Sequence, residues 1–351
     1  MIFIRADGGP EIGIGHLMRC MTLARELASR QDDRENICFV CADQGGADFA
    51  KGQGFPARIL GTRYQDMESE LPLWSRILEE TREKKEPGSF LILADSYFVT
   101  EKYLAALKNL AYTALMDDMG TERYPVDCLI NYNLTADFEA YERLYEGQNT
   151  DLIIGSRYAP VRRQFLNVDY QMREQVKSVL ITTGGGDIEN IAGQIWRTIN
   201  TEDYEFHLVT GRFNPHFQEL KRLEEGCRNL HIHHDVADMA GLMKMCDMAI
   251  TAGGSTVYEL AAVGVPFICF SYAENQEEQA RCMAQRRIAP YAGAYHRSPG
   301  ETLVRIRELF QQTASDPKER RTIHENEKNL TDGKGAARLA EELVRLAGRR
   351  K

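Results

Sequence analysis

One rhythm constrains this chain more than any other feature. A short apolar run is followed by a glycine-bearing loop and a helical stretch, and the series then repeats. The apolar runs do not alternate with polar residues, so both faces of each must be covered. That is the signature of parallel strands with helices on either side, an α/β fold. Strands are expected at residues 1–5, 37–42, 90–94, 112–116, 128–130 and 152–154, with clear helices at 16–30 and 67–84. The stretch YAPVRRQFLNVDYQM, residues 158–172, breaks the rhythm and reads as a linker. Beyond it the pattern restarts, with strands at 178–182, 205–209, 230–233, 248–251 and 266–270. Helices from residue 300 onward close the chain, the last at 335–346 with Ala- and Leu-rich periodicity.

Length agrees with two bodies, since 351 residues exceed what one core organises. The expected division is a first domain over 1–157, a linker over 158–172 and a second domain over 173–351. Ligands of such folds bind at the carboxyl ends of the strands, here expected to face a common cleft.

Charge narrows the partners. Residues 1–150 carry 16 Lys and Arg against 25 Asp and Glu, a net of −9, whereas 151–351 carry 27 of each. An acidic first half argues against docking on nucleic acid or on anionic lipid. The opening MIFI is too short for a signal peptide, and no apolar run approaches a membrane span. The eight cysteines form no paired framework, which fits a reducing compartment. Cys38 and Cys41 form a CxxC, but inside an apolar strand residues three apart face opposite sides. A soluble cytoplasmic protein is expected, with no membrane insertion and no nucleic-acid partner.

Three stretches carry candidate chemistry. In RADGGPEIGIGHLMR, residues 5–19, Gly13 and Gly15 allow a tight turn and close approach of a ligand. His16 then falls in the first helical turn, where the positive end of the helix dipole disfavours imidazolium, so a neutral, proton-accepting ring is expected. In TTGGGD, residues 182–187, Gly185, Gly186 and Asp187 open the second half with backbone N–H groups suited to phosphate or sugar. In ITAGGSTVYELAAVGVPFICFSYAENQ, residues 250–276, Gly254, Ser255 and Thr256 lead into a helix whose start would hold a diphosphate. Glu259 follows one turn later, able to accept two hydrogen bonds from a ribose diol, and Asn275 and Gln276 sit at the next strand's end. HIHHD at 231–235 and MDD at 116–118 invite a metal, but the first lacks further ligands at suitable spacing and the second suits a turn cap or sugar hydroxyls. No metal and no cofactor are expected.

The third stretch resembles the nucleotide-binding signature of GT-B-fold glycosyltransferases, particularly the lipid-linked N-acetylglucosaminyl transferase of peptidoglycan synthesis. With Arg5, Asp7, Ile12, Gly13, Gly15, His16 and Arg19, the chain is similar to the UDP-sugar hydrolases of pseudaminic acid biosynthesis and the related spore-coat polysaccharide proteins. ADSY at 94–97, with Tyr97, and the segments MDDM, LINYN and IGSRYAPVRRQF extend the likeness over nearly the whole chain. Two departures stand out: Phe98 where a glycine is common, and GGST before Glu259.

The resemblance implies two Rossmann-like domains of GT-B type and hydrolysis of a UDP-linked 2,4-diacetamido-2,4,6-trideoxy sugar. It makes His16 the general base for water, with Tyr97 and Asn275 placing water and sugar. UDP would rest on Gly254, Ser255, Thr256 and Glu259, its base near residues 234–239. Arg5, Asp7, Gly13, Gly15, Arg19, Gly185, Gly186, Asp187 and Gln276 would complete the substrate contacts. A transferase using the same donor, and a non-catalytic nucleotide-sugar binding module, are the alternatives.

Overall fold

A computed structural model describes all residues except 10–11, 32–33, 84–89, 121, 213 and 348–351. The chain forms two compact units, one from Met1–Pro160 with Gly335–Lys351, the other from Val161–Lys334.

The first unit holds strands β1 (Ile2–Ala6), β2 (Ile37–Cys41), β3 (Ala57–Ile59), β4 (Leu91–Asp95), β5 (Tyr112–Met116), β6 (Cys128–Asn131) and β7 (Asp151–Ile154). Its helices are α1 (Gly15–Gln31), α2 (Gln44–Gly52), α3 (Leu71–Arg82), α4 (Glu101–Leu110) and α5 (Phe138–Leu144). The sheet runs β3-β2-β1-β4-β5-β6-β7 and every pairing is parallel. Each residue of β1, β2, β4, β5 and β6 is buried, as unalternating apolar strands require. One core gathers Phe3, Val40, Ile92 and Leu115 with Trp74, Leu104 and Leu107, each such side chain worth about 1.5–3 kcal/mol on burial. Helix α1 buries Leu17, Cys20, Met21, Ala24, Leu27 and Ala28, an i, i+3, i+4, i+7 stripe.

The second unit repeats the plan. Helices α6 (Ile191–Ile199), α7 (Phe217–Gly226), α8 (Met239–Met245), α9 (Thr256–Val263), α10 (Glu277–Gln285), α11 (Pro299–Ser315) and α12 (Pro317–Glu327) accompany six strands. These are β8 (Ser178–Thr182), β9 (Glu205–Thr210), β10 (Leu230–His234), β11 (Met248–Ala252), β12 (Phe267–Ser271) and β13 (Tyr291–Ala294), in the parallel order β10-β9-β8-β11-β12-β13. Among the described residues no helix is long and apolar enough to cross a membrane.

Three departures from the sequence expectation have physical causes. The helix expected over 67–84 begins as a 3-10 turn, Met67–Glu70, and becomes α-helical only at Leu71, because Pro72 is tolerated in a first turn and not in a helix interior; residue 84 lies outside the described residues. The edge strands β3 and β13 were not foreseen: one has two half-buried residues and an exposed Ile59, the other reads YAGA. The last helix, α13 (Gly335–Ala347), was expected to close the second domain and instead packs on α1 in the first unit. Its stripe of Ala336, Leu339, Ala340, Leu343 and Leu346 is buried there, and Arg30 Nη2 donates to the Ala337 carbonyl at 2.9 Å. An apolar stripe announces that a helix will be covered, but not by which neighbour.

Candidate active site

In the first unit the polar groups collect at the carboxyl ends of β1, β4, β5 and β6. The loop after β1 doubles back, Gly9 N–H donating to the Gly13 carbonyl at 2.9 Å, and Gly13 takes φ +73°, which favours glycine. A side chain added at Gly13 or Gly15 would meet open space, so the loop stands clear on that side. It delivers His16 as the second residue of α1, almost buried at 9% exposure.

His16 does not stand alone. Its Nδ1 lies 2.5 Å from Asp95 Oδ1, at the end of β4 where Ala6 and Asp95 face each other across the sheet. Arg19, one turn further along α1, donates to Asp95 from Nε at 2.7 Å and from Nη2 at 2.5 Å. Its Nη1 reaches Asp118 Oδ2 at 2.6 Å and the Tyr132 hydroxyl at 2.9 Å. Tyr97 donates to Asp118 Oδ2 at 3.1 Å and meets the His16 ring edge-on, centroids 4.6 Å apart. The Cys20 thiol donates to Asp95 Oδ2 at 3.2 Å.

Burial alone would raise the Asp95 carboxyl, but the neighbouring Arg19 and His16 outweigh it and hold the group well below the usual carboxylate range. An ionised carboxylate only accepts, so His16 Nδ1 carries the proton of their shared bond, and a neutral ring then has its lone pair on Nε2. Among the described residues nothing hydrogen-bonds Nε2. Burial, and then Asp118, push the Tyr97 phenol up, so it remains a donor at neutral pH. Tyr97 is half exposed, at 49%. Asp118 Oδ1 is enclosed without a hydrogen-bond partner among the described residues. Asp117, beside it, caps a turn, accepting from the backbone of Met119 at 2.9 Å and Gly120 at 3.2 Å.

Two expected contacts have other work. Arg5 is wholly buried, donating to Glu70 from Nε at 2.8 Å and Nη2 at 2.5 Å and pairing with Asp7. Tyr103 donates to the same Glu70 at 2.9 Å and Trp74 donates to Tyr103 at 2.8 Å, so Arg5 anchors β1 to the helical layer and offers nothing to a ligand. Asp7 accepts from the Ala42 backbone at 2.8 Å, tying β1 to the end of β2. The expectation that both touch substrate is corrected accordingly: the interior charge of Arg5 must be paired, and these carboxylates pair it.

In the second unit Gly185 approaches Gly211 so closely that a Cβ on Gly211 would lie 2.3 Å from the Gly185 carbonyl oxygen. The glycine at 211 was not foreseen. Gly186 faces open space, and the Thr183 hydroxyl before the glycines is buried without a partner among the described residues. Asp187, expected to bind substrate, turns instead onto α6, accepting from the backbone of Ile191 at 2.6 Å and Ala192 at 3.0 Å. Those N–H groups have no partner within the helix, and a carboxylate there also meets the positive dipole end.

Ser255 precedes α9 and makes no side-chain capping bond, with Gly254 before it and Thr256 opening the helix. Glu259 accepts from Arg162 Nε at 2.8 Å. Gln276 is buried and its Oε1 accepts from the Tyr272 backbone at 3.2 Å, whereas Asn275, on the same 3-10 turn, is exposed. The histidines of HIHHD are otherwise engaged: His231 with Glu205 at 2.8 Å, His233 with His207 at 3.0 Å, His234 stacked on Phe217 at 4.2 Å. Burial and the neighbouring His233 and His231 bring His207 down to about 4. Among the described residues no three His, Cys, Asp or Glu side chains form a metal-ligating group.

Two Rossmann-like units, each a parallel sheet with helices, define a GT-B fold. The calicheamicin glycosyltransferase CalG4 shares it, with a TM-score of 0.62 at 15% identity over 99% of this chain and 98% of that one. The chain belongs to the family of the glycosyltransferase family 28 C-terminal domain, which matches residues 153–334. Its relatives include the spore coat polysaccharide biosynthesis protein SpsG of Bacillus subtilis, 28% identical over 96% of this chain and 95% of the relative. Another is the UDP-2,4-diacetamido-2,4,6-trideoxy-beta-L-altropyranose hydrolase of Campylobacter jejuni, 24% identical over 81% of this chain and 96% of the relative. The resemblance read from the motifs therefore holds.

Proposed function

We propose that this protein is a UDP-sugar-processing enzyme of pseudaminic acid or surface-glycan biosynthesis. More narrowly, it hydrolyses a UDP-linked 2,4-diacetamido-2,4,6-trideoxy sugar to UDP and the free sugar. The observation that supports the reading is the 2.5 Å pairing of His16 Nδ1 with Asp95; we read Nε2 as the proton acceptor. Water attacks C1 while Nε2 takes its proton. The C1–O bond to the β-phosphate breaks, and UDP departs with the bonding pair. Displacement in one step inverts C1. The proton on His16 balances the charges of Asp95, Asp118 and Arg19.

Ordinary glycosidases add a second carboxylic acid because a sugar alkoxide must be protonated as it leaves. UDP is a stable anion and needs only an electrostatic cradle. In the second unit Gly185, Gly186, Gly254, Ser255 and Thr256 supply that cradle, Glu259 takes the ribose and Asn275 orients the sugar; in the first unit Tyr97 orients water beside His16. The name of the Campylobacter relative supports this substrate.

The test is UDP release from UDP-2,4-diacetamido-2,4,6-trideoxy-β-L-altropyranose with no acceptor added. The wild type is expected to turn over, and His16→Ala to lose about 10²–10⁴-fold in kcat with substrate binding retained. Undiminished turnover in His16→Ala would sink the mechanism. The match to a glycosyltransferase domain favours a second reading, transfer of the sugar to a soluble acceptor. UDP release seen only when an acceptor is supplied would select it.

A further inference from the structure

Glu259, read above as the ribose partner, already has a partner within the protein. Arg162 Nε donates to its Oε1 at 2.8 Å, the two side chains being 19% and 16% exposed. Arg162 lies in extended backbone just before the 3-10 turn Arg163–Phe165, with its guanidinium carbon 4.9 Å from the centroid of the Phe165 ring. Phe165 is fully buried, so the platform under the guanidinium is fixed. Among the described residues no other donor bonds the Glu259 carboxylate.

An unheld glutamate in the first turn of a helix has three side-chain torsions and spreads over several rotamers. Arg162 removes that freedom and occupies only one acceptor position. Oε2 and the second lone pair of Oε1 stay available, enough for the two hydroxyls of a vicinal diol. The pairing also offsets a negative charge that would otherwise repel an incoming diphosphate. Lysine could not substitute, because Nε donation and stacking on a ring both need the planar guanidinium.

We propose that Arg162 is a positioning residue for nucleotide specificity: it aims the Glu259 carboxylate at the ribose diol, so the second unit selects ribonucleoside over 2′-deoxyribonucleoside diphosphates. The proposal rests on the reading of Glu259 as the ribose partner.

Calorimetric titration of the full chain with UDP and with 2′-deoxy-UDP tests it. Wild type is expected to favour UDP by about tenfold, the scale of one charge-assisted hydrogen bond. Arg162→Gln should weaken UDP by about tenfold more than it weakens 2′-deoxy-UDP, so that the preference disappears. Arg162→Lys keeps the charge and guards against loss of fold; its preference should collapse in the same way. An equal loss for both nucleotides, with the preference intact, would assign Arg162 to the diphosphate and overturn the proposal. Undiminished UDP affinity and preference in both variants would overturn it as well. A wild type that binds both nucleotides equally would instead refute the ribose role of Glu259, and one that binds neither would refute the function proposed above.

Discussion

Asp95 is the side chain on which the first unit's polar groups converge: His16, Arg19 and Cys20 all hydrogen-bond its two oxygens. Asparagine there would present an amide N–H₂ to Nδ1, favouring the tautomer that carries its proton on Nε2. Asp95→Asn should therefore lower kcat by about 10²–10⁴-fold with little change in KM, measured by steady-state UDP release. Its acid response has a definite sign. Because the folded carboxyl is depressed, the stability from its pairings is complete above the unfolded value of about 3.9 and is lost as pH falls below it. Melting curves of Asp95→Asn should thus fall less steeply than wild type on acidification. His16 was singled out because glycines and a helix start flag it, and Arg19 and Tyr97 because motifs resembling a known family contain them. Asp95 and Arg162 were within quoted motifs and still unassigned, and Asp118 was read only as one of a pair suited to a turn cap or sugar hydroxyls. A carboxylate ending a strand gives no local sign of which partner, tens of residues away, will meet it. The same blindness placed Arg5 at the ligand, since a charge in a motif looks alike whether it faces solvent or a buried Glu70.

At the scale of elements, central strands were legible because burial on both faces leaves an unbroken apolar run, whereas β3 and β13 lie at sheet edges where that demand lapses. Helix α12 ends on a residue that periodicity alone would place in solvent. Glu327 is fully enclosed, and neither carboxyl oxygen has a hydrogen-bond partner among the described residues. Burial pushes this carboxyl well above its usual range. The unfolded chain releases that proton at about pH 4.3, so stability is complete below this value and declines as pH rises toward the folded value. Glu327→Met, similar in shape and without polar atoms, should stabilise the protein by about 1–3 kcal/mol at neutral pH. Thermal melts at pH 4 and pH 8 check this: the gain should be small at about pH 4 and large at about pH 8.

At the scale of the whole molecule, two sheets with separate cores were legible from the restart of the strand-loop-helix rhythm after residues 158–172. The return of α13 to the first unit was not. Removing residues 335–351 should uncover the face of α1 that receives Leu339, Leu343 and Leu346, at about 1.5–3 kcal/mol for each buried leucine. Hydrogen exchange on that truncated chain should show lost protection in 1–160 and little change in 161–334.

The position of α13 also bears on synthesis. A ribosome delivers residues 161–334 in full before it delivers residues 335–347, so the second unit can complete its sheet while the first still lacks its final helix. Domains ordinarily mature in the order in which they are translated. Here the unit begun first is finished last, and until then the nascent chain carries an uncovered apolar strip on α1 that a chaperone could recognise.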